Sequence, residues 1–249
     1  PPDIFSKPKD LPGTKSPRNM KKSWTIDSHQ ILKQATQLNH YNQWIYSLFK
    51  TFLGNNILEI GSGLGGVSQY FLTEKITLSE LRDDYFVYLK NRFGDKTIKL
   101  DIEKETHSNL RNRFDTVFSS NVFEHIEDDE QALKNCFKLL KKGGRLLIFV
   151  PAGHEIFGSV DKVMGHYRRY SKKELHTKVT NAGFKIVSLK YANFPGYFSW
   201  WLRGRFSRKP SQDAFLVNAF EYLIVPFIYL EKYLPLPFGQ SLMLVAEKN

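Results

Sequence analysis

Four stretches of this 249-residue chain carry residue types that could act together chemically. The first is ILEIGSGLGG (Ile57–Gly66), an apolar run that ends in a glycine-rich turn. Glycine tolerates left-handed backbone, so such a turn lets the main chain approach a ligand closely. The free N–H groups of a helix starting there can face a polar or anionic group. Carboxylates flank it: Glu59 precedes the turn, Glu80 lies 19 residues after Gly61 behind KITLS, and Asp101 follows TIKL. Acids so placed accept hydrogen bonds from hydroxyls and amines and attract a cationic ligand. The second stretch is NVFEHI (Asn121–Ile126). Imidazoles ordinarily titrate near neutrality, so its His125 is a candidate general base. The third is DKVMGHYRRY (Asp161–Tyr170). Asp161 and His166 are further base candidates, and Arg168 and Arg169, with Tyr170 beside them, could clamp a phosphate or carboxylate of a substrate. The fourth, Phe194–Gly239, holds 13 aromatics in 46 residues, twice the chain average of 14%. There Trp200 and Trp201 stand beside Arg203, Arg205, Arg208 and Lys209, followed by AFLVNAFEYLIVPFIYL.

Alternating strand and helix patterns must position these stretches. Buried-strand runs are expected at 57–60, 75–79, 98–100, 114–119, 145–150, 185–189 and 242–246. Between them the spacing predicts helices over 67–72, 84–93 and 130–140, the last stopped by Gly143 and Gly144, and a helix capped by Ser171 and Glu174 that ends at Gly183. Cys136 falls on the apolar stripe of the 130–140 helix and reads as a buried structural thiol. Upstream, Asp27 and Gln30 suit a helix cap, and Ile31, Leu32, Leu38, Tyr41, Ile45 and Leu48 support one or two amphipathic helices. Strands separated by helices imply an α/β, Rossmann-like, doubly wound sheet with ligands at the carboxyl ends of its strands. Residues 1–22 carry five prolines and no apolar periodicity and read as an extended N-terminal arm; 23–249 form one domain with an aromatic helical insertion at 193–239.

The glycine turn alone admits two readings. Gly61, Gly63 and Gly66 match the dinucleotide fingerprint G-x-G-x-x-G, for which an acid about 20 residues on is also expected. Glu59-x-Gly61-x-Gly63-x-Gly65 matches the first motif of the class I S-adenosylmethionine-dependent methyltransferases. Further stretches resemble that family. FDTVFSSNVFEHIEDDEQALKNCFKLLKKGGRLLIFVPA (Phe114–Ala152) looks like its fourth strand, helix and fifth strand, with LKKGGRLLI similar to its common L-K-P-G-G-x-L-x-I. NHYNQWIYSLF (Asn39–Phe49) and FGSVDKVMGHYRRYSKKEL (Phe157–Leu175) resemble a bacterial type 11/12-like subgroup. The resemblance implies a seven-stranded sheet and S-adenosyl-L-methionine as cofactor. The set it implies here is Tyr41, Glu59, Gly61, Ser62, Gly63 and Gly65 at the methionine end, Glu80 and Leu81 at the ribose, Asp101 and Ile102 at the adenine, and Asn121 and Val122 lining the sulfonium pocket. Asn121, Glu124 and His125 also resemble the E-x-x-E-H metal site of ubiquinone-pathway O-methyltransferases. Asn121 replaces the first Glu, which removes an anionic ligand, so no metal is expected. His125 is left as pocket lining, base or ligand.

Composition bounds the partners. Lys and Arg number 36 against 25 Asp and Glu, a net charge of +11 that favours anionic partners. One cysteine excludes an internal disulfide, and the longest uninterrupted apolar run, Tyr222–Leu230, has nine residues, against the roughly 20 needed to span a bilayer. A cytoplasmic protein is expected, with peripheral contact at the inner membrane face through 194–239. Nucleic acid is disfavoured: no N/D-P-P-Y stands at Asn121, and the aromatic insertion is too aliphatic for a base-stacking platform. The expected activity is O-methylation of a small-molecule or lipid-linked acceptor, with a saccharide carrier fitting the basic loop. The rivals are a nicotinamide-dependent oxidoreductase and a non-catalytic membrane-associated binding protein of the same fold.

Overall fold

The structure, a computed structural model, describes residues 26–71, 75–104, 108–206 and 220–249. The proline-rich arm, Arg208 and Lys209 lie outside the described residues. Seven strands form one sheet: β1 (Asn56–Ile60), β2 (Lys75–Glu80), β3 (Thr97–Lys99), β4 (Phe114–Ser120), β5 (Leu140–Pro151), β6 (Lys185–Ala192) and β7 (Ser241–Glu247). Their order is β3-β2-β1-β4-β5-β7-β6. β1 pairs in parallel with β2 and β4, β2 with β3, and β4 with β5, whereas β7 runs antiparallel to both β5 and β6. The chain leaves β1 toward one edge and returns at β4 toward the other. The connections after β1 and β4 therefore diverge and open a crevice at the switch point.

Strand alternation sorts the apolar residues onto two faces. Leu58, Val117, Leu146 and Ile148 pack with Ala132, Leu133, Cys136 and Leu139 of α4 (Asp129–Leu139) and with Leu175 and Val179 of α6 (Lys172–Asn181). Ile57, Phe118, Leu147 and Phe149 pack on the other face, against Trp44, Ile45 and Phe49 of α2 (Asn39–Phe49). Cys136 is fully buried, and burial pushes its thiol up to about 12. It is structural.

Two local readings are corrected. The segment expected as a helix over 67–72 forms only a 3-10 turn, Ser68–Phe71, whose Ser68 hydroxyl is drawn to Glu59 and whose Phe71 is buried in the core. Gly143 and Gly144 do not stop α4, which ends at Leu139. They lie inside β5, where Gly143 takes φ +73° and the pair exchanges hydrogen bonds with Lys248. The expected Asp27 and Gln30 cap falls at the edge of the described residues; α1 spans Ile26–Gln37, and Leu38 alone separates it from α2. Ser171 caps α6 as expected, its hydroxyl accepting from Glu174 N–H at 3.1 Å.

The insertion is closed on itself and tied to the domain through helix N-termini. Glu231 accepts from the Asn193 and Phe194 N–H groups (2.7 and 2.9 Å) at the start of α7 (Phe194–Phe206). Glu221, in the π-helical turn Phe220–Ile224, accepts from the His40 and Tyr41 N–H groups of α2. Carboxylates there satisfy backbone donors that the helix leaves open. Val225 and Ile228 of α8 (Val225–Ile228) are buried in the α2-side core. Among the described residues no helix is long and apolar enough to cross a membrane.

Candidate active site

A cavity of about 400 Å³ occupies the crevice. One end is built by the turn after β1. Gly61, Gly63 and Gly65 take φ of +67°, +57° and +77°, which side chains disfavour. At Gly61 an added Cβ would also meet the Val122 methyls at 2.6 and 2.8 Å, so the turn and the end of β4 are in van der Waals contact. At Gly63 nothing lies nearer than Leu32, at 3.5 Å, and the main chain is open to the cavity.

Two acids hold this turn. Glu59 is 4% exposed, and its Oε2 accepts from the Ser62 and Ser68 hydroxyls (2.9 and 2.5 Å). Burial outweighs those bonds and pushes its carboxyl up to about 7. Glu80 spends one oxygen on Gly63 N–H (2.8 Å) and the other on the Leu81 and Arg82 N–H groups (2.9 Å each). Its carboxyl is raised by burial, against those three bonds. Asp101 sits on the neighbouring loop, accepting from Glu103 N–H at 3.2 Å and pairing with Lys104 at 2.9 Å. That loop is pinned from beneath by a residue that sequence patterning passes over. Fully buried Asn135 of α4 donates to the carbonyls of Ile102 (2.8 Å), Glu103 (3.4 Å) and Lys104 (2.7 Å). The available signal was a carboxamide beside the apolar stripe of an amphipathic helix.

The other end is a polar wall. Glu124 and His125 come from the 3-10 turn after β4, and His166, Arg169 and Trp200 from the segments after β5 and β6. The His125 and His166 rings meet edge to face with centroids 4.7 Å apart. Burial and neighbouring His166 hold His125 down at about 3, so it is a neutral imidazole. His166 is also lowered, by burial, despite its bond to Asp161. Burial pushes Glu124 up to about 8. Asp161 organises this wall from behind: His166 Nδ1 (2.8 Å), Arg169 Nε (2.9 Å), Gly158 N (2.9 Å) and Trp200 Nε1 (3.1 Å) all bond its two oxygens. Burial opposes its ionisation, yet the His166 bond and the Arg169 charge hold it below the ordinary carboxylate range. Arg169 also lies over the Trp200 ring at 4.7 Å and donates to Ala152 O at 2.9 Å.

The expected site residues thus divide by position. Tyr41, Glu59, Gly61, Ser62, Gly63, Glu80, Leu81, Asp101, Ile102, Asn121, Val122, His125, His166 and Arg169 line the one cavity. Tyr41 is raised by burial and bonds Asn193 and Ser241. Gly65 lies behind the turn, where a Cβ would strike Phe93 at 2.7 Å. Asp161 lies off the cavity with four donors on its oxygens, about the number a carboxylate can accept, so it positions His166 and is no base itself. Arg168 and Tyr170 are corrected as well. Arg168 pairs with Asp129 at 2.9 Å and bonds Glu127 O at 2.8 Å, while the Tyr170 hydroxyl donates to Asp129 Oδ2 at 2.7 Å. Lys178 Nζ bonds the same carboxylate at 2.8 Å. Both residues tie the loop to α4 and leave Arg169 to face the cavity. Glu124, Asn135, Met164, Trp200 and Ser241 are structural neighbours of the site that the expected set omits.

Residues 58–146, the segment that carries the glycine turn and the carboxylates, match the family model described as a methyltransferase domain. That segment is a methyltransferase-domain match, and the fold of the chain is that of S-adenosylmethionine-dependent methyltransferases. Among curated proteins it is similar to malonyl-[acyl-carrier protein] O-methyltransferase 1 of Ilyobacter polytropus, 26% identical over 145 residues, covering 53% of this chain and 54% of that protein. It is also similar to phosphoethanolamine N-methyltransferase 1 of Triticum aestivum, 28% identical over 102 residues, covering 38% of this chain and 20% of that protein. The chain thus spans about half, or less, of the curated relatives it matches. In fold it is similar to a Thermotoga maritima S-adenosylmethionine-dependent methyltransferase described as a possible histamine N-methyltransferase (TM-score 0.61, 19% identity, covering 90% of this chain and 96% of the other). The Haemonchus contortus phosphoethanolamine N-methyltransferase 2 bound to S-adenosyl-L-methionine is also similar (TM-score 0.55, 19% identity, 90% and 60% covered). The match is to methyltransferases and not to nicotinamide-dependent oxidoreductases, and the cofactor it supports is S-adenosyl-L-methionine. The donor end fits that cofactor: an open glycine main chain lies above a buried carboxyl that no cation neutralises among the described residues, and the ligand carries cationic centres.

Proposed function

We propose that the chain transfers the methyl group of S-adenosyl-L-methionine to a hydroxyl oxygen of a small or lipid-linked, saccharide-bearing acceptor. The observation that carries this reading is the continuity of one cavity from the glycine turn to the polar wall. On that wall Glu124 Oε2, His166 Nε2 and Arg169 Nη2 are buried and have no hydrogen-bond partner among the described residues. Unmet buried polar atoms are costly, and an acceptor rich in hydroxyls would satisfy them.

Within this reading each residue has a physical task. Glu59 holds the ammonium of the donor, Glu80 stiffens the turn through Gly63 and offers its remaining lone pairs to ribose, and Asp101 accepts from the adenine amino group. Val122 and Asn121 bound the passage between donor and acceptor. The donor supplies a methyl group already activated by its sulfonium charge, so orientation and exclusion of water account for much of the acceleration. The acceptor oxygen gains the methyl, its proton leaves, and a neutral thioether departs. Trp200, packed on Arg169, gives the acceptor end an aromatic side that suits a sugar ring.

The lipid-linked form of the acceptor is supported by the insertion. Tyr222, Leu223, Phe227, Leu230, Tyr233 and Leu234 are 58–74% exposed along one continuous run. Together with the net charge of +11, this suits peripheral contact with an anionic membrane.

Parallel calorimetric titration with S-adenosylmethionine, S-adenosylhomocysteine and NAD tests the donor. Binding of the first two and not of NAD is expected, and the reverse overturns the reading. Methyl-labelled donor incubated with cell extract tests the acceptor. Label should enter the lipid or polar small-molecule fraction, and label confined to protein or RNA refutes a hydroxylated small acceptor.

A further inference from the structure

The chemistry of the polar wall goes beyond hydrogen bonding to an acceptor. One ligand-capable atom each from Glu124, His125 and His166 lies within 4.8 Å of the other two. Two of the three residues sit nine-tenths or more out of solvent: Glu124 is 1% exposed and His166 5%. Both keep an unmet atom, Glu124 Oε2 and His166 Nε2, and His166 Nε2 stands 4.0 Å from Glu124 Oε1. The outer ring of bonds is that of a metal-binding histidine. His166 Nδ1 is held by the Asp161 carboxylate at 2.8 Å, which fixes the tautomer that leaves Nε2 as a lone-pair donor. The His125 ring is oriented by the Gly165 backbone.

We propose that Glu124, His125 and His166 bind one divalent transition-metal ion, of which Zn²⁺ is the best-suited probe, at the acceptor end of the cavity. Two imidazoles and one carboxylate make a three-ligand set of the kind that leaves a coordination position open for an exogenous oxygen. Zn²⁺ sets its ligand atoms at about 2.1 Å, hence roughly 3.4 Å apart in tetrahedral geometry. The widest gap in the cluster closes by up to about 1.4 Å as the ion enters, which rotation of the side chains supplies. Charge agrees: Glu124 and Asp161 are acidic, Arg169 is the cation facing them, and Arg169 is itself neutralised by Asp161 at 2.9 Å. The sequence motif around Asn121 argued against a metal because Asn121 lacks a carboxylate. In the structure the Asn121 amide turns to Ser120 Oγ (3.3 Å), and the missing ligand comes from His166, 41 residues beyond His125. Resting on the proposed function, the ion would orient the acceptor hydroxyl at its open position and stabilise the oxyanion formed when that hydroxyl loses its proton to solvent.

The test uses the whole chain. Purified protein is stripped with chelator and titrated calorimetrically with Zn²⁺ alone, and with Co²⁺ while the visible absorption is recorded. One equivalent should bind, with cobalt d–d bands in the visible. Glu124→Gln and His166→Gln should each weaken Zn²⁺ binding by at least tenfold, and Asp161→Asn by about tenfold, as expected for a second-layer partner. S-adenosylhomocysteine binding serves as the check on folding of every variant. Should the wild-type chain bind no stoichiometric Zn²⁺ while still binding S-adenosylhomocysteine, the metal site is wrong and the methyltransferase reading stands. Zn²⁺ affinity unaltered in both Gln variants would equally overturn it. Loss of S-adenosylhomocysteine binding in the wild type would instead sink the proposed function.

Discussion

Glu59→Gln separates the cost of a buried carboxyl from its use. The substitution keeps the side-chain length and an oxygen for the Ser62 and Ser68 hydroxyls, but it cannot ionise. In the folded chain burial holds this carboxyl at about 7, against 4.5 for the free group. Ionising it in the folded protein therefore costs roughly 3 kcal/mol more than in the unfolded chain, at about 1.4 kcal/mol per pH unit. The sign follows from proton counting. Between 4.5 and about 7 the folded chain binds more protons than the unfolded chain, so wild-type stability falls as pH rises through that window and levels off above it. The Gln variant lacks this loss. Urea denaturation of both proteins without cofactor, from pH 5 to 8.5, should show the variant gaining on the wild type by about 2–3 kcal/mol, with the gain complete near pH 7.5. The variant should at the same time bind S-adenosylmethionine more weakly, whereas wild-type affinity should tighten from pH 6 to 7.5 as the carboxylate forms. Stability profiles that run parallel across the whole range would show that Glu59 is not a strained acid and would remove the physical reason for placing a cation beside it.

Three further outcomes are expected. Gly61→Ala forces a side chain at φ +67° into the Val122 methyls; it should cost about 1–3 kcal/mol of stability and most of the cofactor affinity. Adding Val122→Ala should recover part of the stability in a thermal melt, and no recovery would mean that backbone strain alone is responsible. Asn135→Ala, which frees three carbonyls of the 102–104 loop, should destabilise the fold by about 1–3 kcal/mol and weaken S-adenosylhomocysteine and adenosine binding by similar factors, as calorimetry with both ligands would show. Arg168→Ala should lower the melting temperature by loosening the loop from Asp129 yet leave S-adenosylhomocysteine affinity within twofold; a large loss of affinity would contradict its position off the cavity.

The sheet was legible because burial imposes period two on strands and period 3.6 on helices, and that signal survives in single stretches such as RLLIFV and LMLVA. The errors fell where a tertiary contact outweighed local preference. Ser68 is recruited by Glu59, which leaves a 3-10 turn in place of a helix. Gly143 and Gly144 are recruited by Lys248 into a strand. In the site, residue type was readable and partnership was not. Arg168, Arg169 and Tyr170 look equivalent in sequence as a substrate clamp. In extended chain, successive side chains point to opposite sides, and here Arg168 and Tyr170 turn to Asp129 while Arg169 turns to Asp161 and the cavity. No local pattern states which partner each will find, because Asp129 comes from α4, about 40 residues upstream, and Asp161 from the start of the same stretch.

Asp161 shows why the acceptor end needed three dimensions. In sequence it is one acid near a histidine, as suited to proton abstraction as any other. Folded, it receives an imidazole, a guanidinium, an indole and a backbone amide. Two of these come from its own loop downstream, one from the residue that opens α5 (Ser159–Met164) and one from α7 in the insertion. A carboxylate so saturated cannot take a proton from substrate without releasing a partner, and each release would misplace a group that faces the cavity. Its value is geometric. It fixes which nitrogen of His166 is presented to Glu124 and His125, and it holds Arg169 and Trp200 at the same wall. The insertion thereby reaches this wall of the cavity through Trp200, which bonds Asp161 and lies under Arg169. A change in how α7 packs would therefore act on Asp161 and Arg169 directly and on His166 through Asp161.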